Sequence, residues 1–152
     1  MKTLDQWFSE YAVSHQNETN QLIHYICVPA IFFSIVGLLM SIPPGPLVHI
    51  FPMYIPFLEN WAVVALLLVL LFYMSLSISM GIKILIFAAL CIAGNYYLAQ
   101  LGPLWLISLL IFVVAWIGQF YGHKIEGQKP SFLKDIQFLL IGPAWVIKKV
   151  FG

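Results

Sequence analysis

Four apolar runs, each about as long as the hydrocarbon of a bilayer is thick, constrain this chain more than any other feature. They cover about His24 to Ser41, Trp61 to Met80, about Ile82 to Leu101 and about Leu104 to Tyr121. A helix rising 1.5 Å per residue needs ~20 such residues to cross ~30 Å of hydrocarbon. Of the 152 residues, 62% are hydrophobic and 9% charged, with mean hydropathy +0.95. A soluble domain of this length cannot hide that much apolar surface. The sequence therefore predicts an all-α fold: an integral membrane four-helix bundle, in one domain over 1–152. The net charge of +1 leaves no basic surface for nucleic acid. Cys27 and Cys91 lie inside apolar runs and form no CxxC, so they read as packing residues.

The flanks are different. Residues 3–13 predict a short amphipathic helix, with Thr3 and Gln6 as a capping box and Leu4, Trp7, Phe8 and Tyr11 on one face. Asp5, Glu10 and Glu18 precede the first run, unlike the basic start of a signal peptide, so that run is expected to stay in the protein. A polar link follows the amphipathic helix from Ser14 to Asn20. Gly81 and Lys83 predict a tight turn between the second and third runs, and Gly102-Pro103 one between the third and fourth. The 43–60 connection holds five prolines, so it cannot be helical throughout; Phe51, Tyr54 and Phe57 suit it to the headgroup layer. The segment 131–151 is apolar but carries Lys134, Asp135, Lys148 and Lys149. It reads as a C-terminal interfacial segment or a shallow re-entrant one, not a fifth span, split in two by Gly142-Pro143.

Four spans place both termini on one side. All seven cations are Lys, and on this topology all seven fall on the terminal side, which the positive-inside rule makes cytoplasmic. The expected location is a bacterial inner membrane or the endoplasmic reticulum.

His15, His24 and His123 then share one membrane face, and His49 is alone on the other. Neutral imidazole is the commonest metal ligand and suits iron, copper or zinc. Each histidine has polar company: Asn20 is four residues before His24, Gln119 is four before His123, and Glu126 is three after it. Provided the helix continues through 126, His123 and Glu126 share a face as a ligand pair would. The alternative is that Glu126 fixes the tautomer of a ligand imidazole. Gly122 and Gly127 permit close approach or a turn. Against a metal site stands the simpler reading of interfacial polar residues. Lys124 fits the positive-inside rule, with a substrate carboxylate as the minority role. Trp7, Trp61, Trp105, Trp116 and Trp145 fall mostly near span ends, where a membrane belt is the default.

Two stretches carry a resemblance. One is Tyr11-x3-His15-x4-Asn20-x3-His24-x4-Pro29. The other is Trp116-x2-Gln119-x2-Gly122-His123-x2-Glu126-x3-Pro130, with Gly142-Pro143 beyond it. Together they resemble the small membrane family of 2-hydroxy fatty acid dioxygenases of phytosphingosine breakdown. The resemblance implies an Fe(2+)-dependent enzyme that uses O2 to shorten a long-chain 2-hydroxy fatty acid by one carbon. It implies His15, His24 and His123 as metal ligands, with Asn20, Gln119 and Glu126 as their polar partners. A 2-hydroxy acid can chelate iron, and three facial ligands leave room for chelate and O2. The acyl tail would lie in the bundle or the lipid.

Two other classes compete. A scaffold or small transporter needs polar residues along a path, and spans two and three offer only Ser75, Ser77, Ser79 and Asn95. A zinc-dependent lipid hydrolase needs a general base, for which Glu126 is the candidate.

Overall fold

The computed structural model describes residues 2–127 and 132–151, the side chains of 132–136 excepted. Pro130 of the second motif and Lys129 lie outside the described residues, as do the side chains of Lys134 and Asp135. The described residues form helices and connections with no strand, so the all-α expectation holds. The helices are α1 (Leu4–Val13), α2 (Glu18–Met40), α3 (Trp61–Leu76), α4 (Ile78–Leu101), α5 (Leu104–Glu126) and α6 (Phe132–Phe151). They pack as two compact units, one from Met1–Phe32 and Ile111–Gly152, the other from Phe33–Leu110.

Three helices, α2, α4 and α5, are long and apolar enough to cross a membrane. The helix α3 is apolar but has 16 residues, about 24 Å of rise. It is short because the chain breaks at Ser77, not at Gly81 as the sequence predicts. Ser77 is extended (φ −163°, ψ 121°), and its hydroxyl accepts the Met80 N–H at 3.3 Å, starting α4 there. Gly81 and Lys83 therefore lie within α4, and α3 and α4 pack as a hairpin.

In the second unit, Asn60 caps α3 by accepting the Val63 N–H at 3.0 Å. The 43–60 connection contains one 3-10 turn, Gly45–His49. Glu59 organises the rest: its carboxylate oxygens accept the N–H groups of Phe51 (3.2 Å) and Ile55 (3.0 Å). Ile50, Phe51, Met53, Tyr54, Phe57 and Leu58 are left exposed. Asn95 of α4 donates to the carbonyls of Phe33 (3.0 Å) and Cys91 (2.9 Å). Its amide nitrogen thus bonds backbone on both helices and ties α4 to α2.

In the first unit, α1 starts with the predicted capping box. Thr3 Oγ1 accepts the Gln6 N–H, and Gln6 Oε1 accepts the Thr3 N–H. The helix α2 begins well before the expected His24. Asn17 Oδ1 accepts the N–H groups of Thr19 (2.9 Å) and Asn20 (3.2 Å), so the polar link itself initiates the helix. At the other end of the chain, α5 runs through Glu126. His123 thus lies inside a helix and not after its last turn.

The C-terminal segment is also more regular than expected. The helix α6 continues through Pro143 where two pieces were predicted. Proline within a helix costs ~3 kcal/mol. Here Ile141, Trp145 and Val146 are all buried, each contributing ~1.5–3 kcal/mol, which offsets that cost. The helix α6 packs on α1, and Trp145 lies 4.8 Å from Tyr11, ring centre to ring centre.

Candidate metal centre

Three chain segments converge in the first unit. His15 comes from the α1–α2 link, His24 from the second turn of α2, and His123 from the last turn of α5. All three are buried. The ring centres of His15 and His24 are 4.4 Å apart, those of His24 and His123 5.7 Å, and those of His15 and His123 6.4 Å. His49 belongs to the second unit, where it is exposed.

Backbone carbonyls orient two of the rings. His15 Nδ1 donates to the Tyr11 carbonyl at 2.6 Å, and His24 Nδ1 donates to the Asn20 carbonyl at 2.9 Å. A carbonyl only accepts, so in each ring Nδ1 carries the proton and Nε2 keeps its lone pair. His24 Nε2 is buried and has no hydrogen-bond partner. Tyr11 stacks flat on His15, ring centres 3.9 Å apart and 4° between planes. Gln21 Nε2 donates to the His15 carbonyl at 2.6 Å and holds the link in place. Burial pushes the His15 imidazole down to about 4, so it is neutral at physiological pH; the Tyr11 carbonyl and the Glu126 charge oppose that shift, and His123 adds to it.

The polar neighbours divide. Gln119 is buried, and its Oε1 faces no partner at the wall of the histidine cavity. Asn20 serves His24 through its backbone carbonyl. Its side-chain amide is fully buried, with both polar atoms unpaired, against the backbone of Gly122. Any Cβ at 122 would collide with Asn20 Oδ1 and come within 3.2 Å of His24 Cε1, so glycine here allows α5 to approach α2. Gly127 (φ +75°) ends α5 by taking up the left-handed conformation. Glu126 accepts the Asn17 N–H, joining the end of α5 to the start of α2. Lys124 is exposed and does not line the cavity.

The cavity measures about 10 Å3, the space of one water molecule or ion. Tyr11, His15, His24, Trp116, Gln119, His123, Phe138 and Leu139 line it. Trp116 and Trp145 are thus not belt residues alone. Trp116 forms part of this wall, and Trp145 is buried against Tyr11 and Tyr25. Sequence reasoning missed Phe138 and Leu139, which carry no chemical signature, and Gln21, whose task is a single backbone contact.

Does this set suit a transition metal? Among the described residues no three His, Cys, Asp or Glu side chains are already set to hold an ion. His123 is the outlying ring, 5.7 Å from His24 and 6.4 Å from His15 between centres. The donor chemistry fits nonetheless: neutral imidazoles, Nε2 lone pairs, one buried orphan nitrogen and a cavity of ionic size.

The family of 2-hydroxy-palmitic acid dioxygenase Mpo1-like proteins matches the chain over residues 1–152. The chain belongs to that family. No curated protein and no solved structure matches it. The name of this family implies a dioxygenase and points to a 2-hydroxy fatty acid as its substrate. The whole first unit, with both histidine segments and α6, falls inside the matched residues.

Proposed function

We propose that this protein is a membrane-embedded, iron(II)-dependent dioxygenase that shortens long-chain 2-hydroxy fatty acids by one carbon, with His15, His24 and His123 holding the metal. The observation that carries the reading is the pair of Nδ1–H donations to backbone carbonyls. They leave two Nε2 lone pairs on rings that line a cavity of ionic size. Iron would supply a Lewis-acidic site for the 2-hydroxy acid head and a redox partner for O2. In the overall reaction O2 accepts four electrons and the C1–C2 bond breaks. The products are the shorter fatty acid, CO2 and water.

The chain's own groups have defined tasks. The carbonyls of Tyr11 and Asn20 fix tautomer and ring direction, and they strengthen the imidazoles as donors. Tyr11 holds the His15 ring by stacking. Gln119 Oε1 is the acceptor for a substrate O–H at the cavity wall. Trp116, Phe138 and Leu139 exclude water. Glu126 ties the two ligand-bearing helices together from its place on the Asn17 N–H. A zinc hydrolase would need Glu126 free as a base, and that engagement disfavours it.

The bilayer supplies the substrate's tail environment, and the Lys distribution supports cytoplasmic termini. The test is anaerobic purification with metal analysis, followed by iron reconstitution and a chain-shortening assay on 2-hydroxypalmitate. One iron per chain is expected, lost in His24→Ala and His123→Ala together with O2 uptake. Absence of bound iron, or unchanged activity in both variants, overturns the proposal.

A further inference from the structure

A 2-hydroxy acid head has several heavy atoms, and a cavity of about 10 Å3 holds one water. Part of the wall must therefore move before anything larger than an ion reaches the histidines. A second cavity identifies which part. A cleft of about 290 Å3 lies between α1 and α6, lined by Lys2, Glu10, Val13, Gln137 and Phe138. Among the described residues, Phe138 is the one common to the two linings. Its ring meets Tyr11 edge-on at 5.1 Å and stands 6.2 Å from the His15 ring, between centres.

Three of the other lining residues are harder to displace. Tyr11 is fully buried, stacked on His15 and packed on Trp145. The rings of His15 and His24 are tethered to carbonyls. Phe138 is half-buried, with one face on the outer cleft. Its displacement requires a side-chain rotation rather than a shift of packed helices, a far faster and less costly motion.

We propose that Phe138 is the access-determining residue of the histidine chamber, a one-side-chain partition through which the carboxyl end of the substrate enters from the α1–α6 cleft. The substrate's identity rests on the dioxygenase reading; the partition itself does not. Lys2 and Glu10, both on the α1 side of the cleft, are paired at 2.8 Å, so among the described residues its lining carries no net charge to repel a carboxylate.

The test uses the full chain in detergent after chelator treatment, with carbethoxylation of His15 and His24 by diethyl pyrocarbonate as the readout. This reagent attacks neutral imidazole and is far larger than the cavity. Phe138→Ala should raise the modification rate about tenfold and Phe138→Trp should lower it, because the partition alone sets exposure of the rings. Phe138→Leu, closest in volume, covers the case in which the alanine variant fails to fold; it should fall between wild type and alanine. Equal rates in folded Phe138→Trp and Phe138→Leu overturn the proposal. In the reconstituted enzyme, Phe138→Trp should raise KM for 2-hydroxypalmitate about tenfold at unchanged iron content. An enzyme without iron or O2 uptake would sink the dioxygenase reading, while the modification rates would still judge the partition.

Discussion

Replacing Glu126 separates two roles that the same residue could play. As a metal ligand or general base, its charge would be indispensable. In the structure its carboxylate instead accepts the Asn17 N–H, at the start of α2. Glu126→Gln keeps an acceptor oxygen at that place and removes the charge. The loss should be the interaction of a charge with a helix N-terminus, about 0.5 kcal/mol at a half-buried site. Glu126→Ala removes the acceptor as well. A hydrogen bond to a charged group contributes about 1.5–3 kcal/mol, and water replaces part of it at partial exposure, so about 2 kcal/mol is expected. Unfolding in detergent micelles, followed by circular dichroism, reads the order wild type, then glutamine, then alanine. Iron stoichiometry on the same samples should stay near wild type for glutamine. A glutamine variant that folds normally but holds no iron would refute the reasoning and make Glu126 a ligand.

Other consequences are simpler to state. Gly122→Ala places a methyl against Asn20 Oδ1 and close to His24. It should destabilise by about 1–3 kcal/mol and weaken iron retention, read by melting and metal analysis. The His15 pKa is held at about 4 against an ordinary 6.5. Below pH 6.5 the unfolded chain therefore binds a proton that the folded, metal-free chain refuses. Through His15 alone, stability should fall by about 3 kcal/mol as pH drops from 6.5 to 4, and His15→Phe should remove that share of the profile. For topology, a cysteine at Met53 should label with an impermeant maleimide from the non-cytoplasmic side in intact cells, and one at Phe151 should not. Equal labelling would place the two on one side.

Local chemistry was readable in the sequence, and distant contacts were not. The capping box of Thr3 and Gln6 spans three residues, and both of its bonds form. The break between α3 and α4 was misplaced because Gly81 looks like a turn residue while Ser77 lies in an unbroken apolar run. A hydroxyl four positions earlier starts a helix that glycine does not interrupt. Glu59 could not be foreseen as the organiser of the proline-rich connection, since its two partners are backbone groups fixed by a loop path that has no periodicity. The histidines were found because imidazole is rare and chemically distinct. Phe138 and Leu139 are two apolar residues in an apolar chain, and only the packing of α6 gives them a role.

The spacing of the two motifs has a physical cause beyond side-chain partnership. Tyr11 and His15 are four apart, as are Asn20 and His24, and in both pairs the ring Nδ1–H returns to the earlier residue's carbonyl. In a helix that carbonyl lies beneath the side chain four positions on. For His15 it is also a carbonyl of the last turn of α1, where the helix concentrates partial negative charge. An acceptor of that kind favours the Nδ1–H tautomer and makes Nε2 a stronger donor to a cation. The end of α1 therefore orients one imidazole and an early turn of α2 orients the next by the same bond. What the sequence suggested as the role of the Asn20 side chain belongs to its backbone, which leaves the amide to pack on Gly122 and bring α5, with His123, into reach.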